Sequence, residues 1–261
     1  MLALPLYDDT ASARLPVITY GLIGACGAVF YWQLGLGHHA AERAVLSYGM
    51  VPAVLFCHAE LPHRLALVPP WATLVTSMFL HGGWLHILGN MLYLWLFGKG
   101  VEAALGPFRF LFFYLICGIT AALTQAAMDP MAQEPMIGAS GAIAGVLGAY
   151  LMLYPRAHVT LFVWILILVR LIAVPAVILL GLWFLMQLLS AVNAAPGQGG
   201  VAFWAHIGGF IAGMVLVFPF RRPGVGLFQP ARSRAFAVSR PRQGFGRGSV
   251  PPAGRRRSPW D

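Results

Sequence analysis

The sequence predicts an all-α, polytopic membrane protein, a bundle of six transmembrane helices. Three observations lead there. The first is composition: of 261 residues, 59% are hydrophobic and 10% charged, and the mean hydropathy is +0.75. A soluble domain carries about 25% charged and about 45–50% apolar residues, so a soluble enzyme is excluded. So are a wholly disordered chain, which lacks this much apolar side chain, and a disulfide scaffold, because there are only three cysteines. The second is charge placement. Up to residue 220 there are seven basic and seven acidic residues; from Arg221 on there are ten basic residues and only Asp261. The whole net charge of +9 therefore belongs to the last 41 residues, and the body is neutral. The third is a series of uncharged runs near the length that crosses about 30 Å of hydrocarbon, about 20 residues.

In order, the first span is the run Leu15 to Gly37. Leu65 to Gly98 is too long for one span and is broken at His81-Gly82-Gly83-Trp84, which places the second helix from Trp84 to Gly98. Phe110 to Met128 is the third, and Ser140 to Pro155 the fourth. Leu171 to Phe220 is split by a loop of turn-forming composition, Asn193 to Gly200, into a fifth span (Pro175 to Val192) and a sixth (Phe203 to Phe220). Val159 to Val169, apolar but only 11 residues between Arg156 and Arg170, is expected to be interfacial or re-entrant. The long segment His38 to Gly83, with Pro52, Pro62, Pro69 and Pro70, is expected to hold short helices at the outer interface. Cys26, Cys57 and Cys117 have no metal or disulfide spacing and read as small apolar residues.

Six spans put both termini on one side. If that side is the cytoplasm, fifteen basic residues face in and only Arg43 and Arg64 face out, a strong positive-inside bias. Residues 1–14 are then a cytoplasmic N-terminus, 15–220 the membrane domain and 221–261 a basic tail. Met1 to Arg14 holds two aspartates and no basic n-region, so no cleavable signal is expected. The Arg-, Pro-, Gly- and Ser-rich tail is expected to be disordered, to fix topology and to touch anionic lipid. Nucleic acid is not expected as a partner, although Gly244-Phe245-Gly246-Arg247-Gly248 has an RNA-contacting composition. Removing the tail after about Arg222 is expected to leave activity intact.

Polar side chains at bilayer depth need partners and are functional candidates. Four stand out: His86 and Asn90 in the second helix, Ser140 at the head of the fourth, His206 at the head of the sixth. These helices all run inward and end at basic marks, Lys99, Arg156 and Arg221. His86, Ser140 and His206 precede those marks by 13, 16 and 15 residues. At about 1.5 Å per residue they lie about 20–24 Å above the inner boundary, in one layer about 6–10 Å below the outer surface. His86 and Asn90, at i and i+4, share a helix face. Gly141/Gly145 and Gly209/Gly213 are G-x-x-x-G pairs that allow the close backbone approach a Ser–His hydrogen bond requires.

That constellation suits nucleophilic acyl transfer. Ser140 attacks a carbonyl, and His206 takes the hydroxyl proton and returns it to the leaving group. His86, Asn90 and the Ser140 N–H are the donors available to an oxyanion. Between Glu134 and Asp261 the chain has no acid, and Glu102 is expected in a loop, so the expectation is a Ser–His dyad without a third member. A G-x-S-x-G elbow fails because position 142 is Ala. No His is followed by Glu, as an H-E-x-x-H metalloprotease needs, and the spans hold no Asp pair. His81 and His86 with His38, His39 or His63 have no metal-specific spacing.

At these residues the chain resembles the rhomboid intramembrane serine proteases. Gly138-Ala139-Ser140-Gly141 is similar to their G-x-S-G motif. Ala205-His206-Ile207-Gly208-Gly209-Phe210-Ile211-Ala212-Gly213 is similar to their A-H-x-x-G-x-x-x-G pattern. His81 through His86 to Asn90 resembles the motif whose second His and Asn assist the oxyanion. Val101-Glu102-Ala103-Ala104-Leu105-Gly106 resembles the first inner loop. The resemblance covers about residues 15–220. It implies a six-helix rhomboid-like bundle with a water-filled cavity open outward, and Ser140 and His206 as the catalytic pair of a serine endopeptidase. It implies that the substrates are single-pass or polytopic membrane proteins, cut in or near a transmembrane segment and entering beside the second and fifth helices. It implies no cofactor and no metal, and a cap over the site formed by residues 129–139. Six helices without a seventh look like the bacterial form, so a multi-pass protein of a bacterial inner (plasma) membrane is expected, with both termini cytoplasmic. Two departures are visible. Trp71 is followed by Ala72 and Thr73 where many members have a Trp-Arg pair, and Ala144 stands where some have an aromatic packed on the catalytic His. What orients the His206 ring is therefore open. The alternative reading is a non-catalytic relative that binds or escorts transmembrane helices.

Overall fold

The computed structural model describes residues 2–10, 15–165, 168–193 and 201–230. Strand β1 (Leu2–Asp8) leads to helix α1 (Val17–Leu34), then to the short outer helices α2 (His38–Tyr48), α3 (Pro52–Leu55) and α4 (Thr73–Thr76). The bundle continues with α5 (Trp84–Leu105), α6 (Pro107–Met128) and α7 (Ser140–Leu153). Strands β2 (His158–Ile165) and β3 (Leu168–Pro175) follow, then α8 (Ala176–Asn193) and α9 (Phe203–Phe220).

The protein is mostly helical, and each of the six expected spans falls on a helix. Four segments are long and apolar enough to cross a membrane: Val17–Gly35, Pro107–Met128, Ala176–Asn193 and Phe203–Phe220. The chain is an integral, multi-pass membrane protein. The other two helices differ from the first expectation in instructive ways. Helix α7 has only 14 residues, eleven of them buried. It is about 21 Å long, but it is jacketed by protein and need not match the lipid. Helix α5 runs seven residues beyond the expected Gly98. It therefore holds Glu102 inside a helix, not in a loop.

Glu102 explains the extension. Its buried carboxylate accepts hydrogen bonds from the Ile18 N–H (3.0 Å), the Thr19 N–H (2.8 Å) and the Thr19 hydroxyl (2.7 Å). These N–H groups are the unpaired donors of the first turn of α1, where a negative charge also suits the helix dipole. The acid is thus a cap that ties α1 to α5. Gly106, at φ +88°, then turns the chain, and Pro107 starts α6 with its fixed φ and no N–H to leave unpaired.

A three-stranded antiparallel sheet, ordered β1-β2-β3, corrects the all-α expectation. It also replaces the interfacial or re-entrant segment expected at Val159 to Val169, which supplies β2 and the start of β3. Val159, Thr160, Val163 and Ile165 are β-branched, and a short apolar run of that kind reads equally as strand or helix by periodicity. The strand β1, drawn from the expected N-terminal arm, is held to β2 and to the bundle: the Tyr150 hydroxyl donates to Asp8 Oδ2 at 2.6 Å.

At the other end of the sequence, residues 221–230 fold against the bundle. The Arg222 N–H donates to the Ala104 carbonyl (3.0 Å), and its guanidinium donates to the Ala103 carbonyl. The Phe228 and Gln229 N–H groups cap the carbonyls of Met152 (2.9 Å) and Leu153 (2.8 Å), which the end of α7 leaves unpaired. The folded body thus reaches Pro230, ten residues past the expected boundary, and a truncation that spares these contacts begins after it. Arg14, the 194–200 part of the α8–α9 loop and the remaining tail, 231–261, lie outside the described residues.

The densest packing is where α7 meets α9. A Cβ on Gly209 would collide with the Gly141 carbonyl, one on Gly148 with the Phe210 carbonyl, and one on Gly213 with the Gly145 carbonyl. Both expected glycine pairs therefore sit at a backbone-to-backbone seam, as small residues between membrane helices allow.

Candidate active site

The seam brings together the two residues picked out at matched depth. Ser140 is the first residue of α7, and His206 lies in the first turn of α9. His206 Nε2 is 2.9 Å from Ser140 Oγ. Both line a cavity of about 660 Å³ with His86 and Asn90. All four residues named from the sequence thus line one cavity.

His86 and Asn90 come from one face of α5. The Gly82 N–H donates to His86 Nδ1 at 3.3 Å, which leaves Nε2 as the protonated, donating nitrogen of the neutral ring. Gly138 passes beside it: an added Cβ would lie 2.7 Å from His86 Nε2 and 3.6 Å from Asn90 Nδ2. Gly138 also has φ +117°, a conformation that penalises side chains, so glycine is required here twice over. Asn90 Nδ2 is buried with no hydrogen-bond partner. An unpaired amide donor costs about 1–3 kcal/mol, so this one is a donor in waiting. The Ser140 N–H, at the start of α7, belongs to the first turn, whose N–H groups have no partner within the helix.

The segment before α5 is clamped from α1. Gln33 Oε1 accepts from the His81 N–H (3.0 Å), and Gln33 Nε2 donates to the His81 carbonyl (3.3 Å). The His81 ring, edge-on to His86 at 5.2 Å, donates from Nδ1 to the Phe79 carbonyl at 3.2 Å. Burial, and to a lesser degree His86 beside it, holds the His81 pKa down to about 4, so this ring is neutral at neutral pH. The segment expected to cap the site is fastened likewise. Met136 pairs with Met50 through two backbone bonds (2.8 and 3.0 Å), and the Gly138 N–H donates to the Ser77 carbonyl (2.8 Å). Pro135 to Gly138 line the cavity.

Three side chains missed in the sequence belong here. Gln125 on α6 accepts from the Ala205 N–H at 3.3 Å, pairing a first-turn donor of α9. Gln187 on α8 stands 2.7 Å from His206 Nδ1 through its Oε1. Trp183, one turn before Gln187, lies 5.9 Å from the His206 ring at 38°. Gln125 and Gln187 carry the signal used for the other four: a lone amide in an apolar span, where an unpaired polar group costs about 2–7 kcal/mol. No such signal marks Trp183, because an aromatic in an apolar helix looks like any lipid-facing residue. In the outer segment, Trp71 is exposed, and the buried Thr73 hydroxyl donates to the Pro70 carbonyl.

Comparison with known proteins identifies the family. The rhomboid domain family matches residues 69–223. The mitochondrial Rhomboid protein 1 of Saccharomyces cerevisiae is 32% identical over 150 residues, 55% of this chain and 40% of that protein. The rhomboid protease GluP of Bacillus subtilis is 35% identical over 136 residues, 52% of this chain and 24% of that protein. The putative rhomboid protease YdcA of Bacillus subtilis is 37% identical over 83 residues, 32% of this chain and 41% of that protein. The chain thus spans half or less of the length of these relatives. With a domain match over more than half its length, this chain belongs to the rhomboid family.

Proposed function

We propose that the protein is an intramembrane serine endopeptidase that hydrolyses peptide bonds in or near the transmembrane segments of other membrane proteins. The observation that carries this reading is the 2.9 Å Ser140–His206 contact on the wall of a 660 Å³ cavity. In the proposed reaction Ser140 Oγ attacks the peptide carbonyl, and His206 Nε2 takes the hydroxyl proton. The negative charge on the former carbonyl oxygen is met by His86 Nε2–H, Asn90 Nδ2–H and the Ser140 N–H. His206 then gives its proton to the leaving amine, and the acyl-enzyme forms. A water, deprotonated by His206, attacks the ester and regenerates Ser140. At about 30 Å³ per water, the cavity has room for on the order of 20 waters, so hydrolysis is supported below the lipid surface. A single Asn donor is worth about 10²–10³ in turnover, which is the loss expected for Asn90→Ala.

In the proposed topology all six long helices cross the membrane, both termini are cytoplasmic and the site opens outward. The fifteen-to-two bias of basic residues supports this. A bacterial inner membrane is the proposed location, with the basic tail on anionic lipid.

The test is cleavage of a transmembrane substrate with a helix-weakening sequence in proteoliposomes. Wild type should cleave it, and Ser140→Ala and His206→Ala should not. Cleavage by either variant at the wild-type rate would overturn the mechanism. A folded wild type that binds the substrate without cutting it would favour the escort reading.

A further inference from the structure

Helix α8 meets the bundle along one face. Ala176, Leu180, Trp183, Phe184, Gln187 and Ala191 follow helical spacing, and Ala176, Leu180 and Ala191 are buried. The neighbours of Gln187 face the other way: Leu185, Met186, Leu188 and Leu189 are exposed. An amide on the inner face of so apolar a helix needs a partner, and that partner is His206 Nδ1 at 2.7 Å.

Which nitrogen carries the proton decides whether His206 can act as a base. Nε2 must present a lone pair to Ser140 Oγ, so Nδ1 must carry the hydrogen. A carbonyl oxygen on Nδ1 enforces this, because it accepts and cannot donate. The other groups around the ring do not. His86 of α5 shares the cavity, and Ser140 of α7 and Trp183 of α8 contact the ring; on α6, Thr124 stands beside Gly208 and Gln125 is bonded to the Ala205 N–H. Among the described residues no carboxylate hydrogen-bonds to His206, and Ala144 offers no ring to lean on.

We infer that Gln187 is the positioning residue of the Ser140–His206 pair: its side-chain carbonyl holds His206 as the Nδ1–H tautomer, and Trp183 packs beside the ring. The inference rests on the protease reading above. During attack the Ser140 proton moves to Nε2, and the ring gains a positive charge. The Nδ1–H···Oε1 bond then becomes charge-assisted and strengthens as the barrier is climbed. When the proton passes to the leaving amine, the ring returns to the same neutral tautomer. The site is thus a chain of two hydrogen bonds through three residues, whose third member is an amide on α8.

The test compares wild type with Gln187→Leu, which keeps volume and removes the acceptor, and Gln187→Glu, which restores an acceptor. Two readouts are taken in detergent or liposomes: the labelling rate of Ser140 by a fluorophosphonate, and kcat and KM for the transmembrane substrate. Gln187→Leu should lower labelling and kcat by about 10–100-fold, by analogy with the loss when the hydrogen-bond partner of a metal-ligating imidazole is removed. KM should stay within about twofold, and Gln187→Glu should recover most of the loss. The imidazole ¹⁵N spectrum of the wild-type chain should show His206 protonated at Nδ1. This readout needs no variant, so a misfolded one does not shelter the idea. A wild type that labels and cleaves overturns the inference alone if Gln187→Leu matches it, if the loss lies in KM, or if His206 is protonated at Nε2. A wild type that neither labels nor cleaves overturns the protease reading and this inference with it.

Discussion

The seam between α7 and α9 and the flank formed by α8 are built in opposite ways. Eleven of the 14 residues of α7 are buried, and it meets α9 glycine to carbonyl. Three of the 18 residues of α8 are buried, and it meets α9 through the side chains of Trp183, Phe184 and Gln187. Backbone packing tolerates almost no displacement, whereas side-chain contacts can separate without unfolding anything else. The seam therefore sets the distance between Ser140 and His206. Helix α8 sets how the His206 ring is turned within that distance.

Matched substitutions sharpen this contrast. The largest effect is expected for Gly213→Ala, whose new methyl runs into the Gly145 carbonyl. Overpacking of this kind costs about 1–3 kcal/mol, and here the moving parts are helices, so the upper end is expected. Thermal unfolding in detergent, with cleavage measured alongside, reads it. A Gly213→Ala protein as stable as wild type would dissolve the distinction. An intermediate effect is expected for Phe184→Ala, which removes a ring stacked on Phe210 at 4.8 Å and 27°. Such pairs contribute about 0.5–1.5 kcal/mol beyond buried area, and turnover should fall by more than that stability loss, because α8 loses its seat beside His206. The smallest effect is expected for Gly181→Ala on α8, where no atom lies within 4 Å of the added methyl. Alanine is about 0.8–1 kcal/mol better than glycine in a helix, so the same chemical change should be neutral or stabilising there. A loss above about 0.5 kcal/mol, the usual bound for surface changes, would mean that α8 is packed more tightly than its exposure shows.

Much of the site was legible in the sequence because hydrocarbon punishes polar side chains. Ser140, His206, His86 and Asn90 stand out against apolar spans, and counting to the basic marks placed three of them in one layer. Gln187 sends the same signal, but no titratable residue lies one turn away to single it out, as His86 does for Asn90. Glu102 was misplaced for a related reason: a charge normally ends a span, yet here it is buried because the first turn of α1 supplies three donors. The sheet was illegible from periodicity, because β2 is short and apolar enough to be read either way, and its partner β1 lies 150 or so residues away in sequence. The packing of residues 221–230 was hidden by composition: Arg222 and Gln229 look like tail until the unpaired carbonyls they cap are seen.

By itself the sequence determined that the molecule is a polytopic membrane protein, where the helices of its bundle lie, and which residues the proposed chemistry rests on. These follow from local quantities: the transfer cost of each side chain, the length of each apolar run, the identity of the nucleophile and base. Tertiary structure alone decided which nitrogen of His206 faces Ser140, which helix supplies its partner, and that packing continues past Phe220 into residues 221–230. Those depend on donors and acceptors far apart in the chain, 19 residues for Gln187 with His206 and 83 for Thr19 with Glu102. Hydrogen bonds are satisfied in space, and no local pattern records which distant group will arrive to satisfy them.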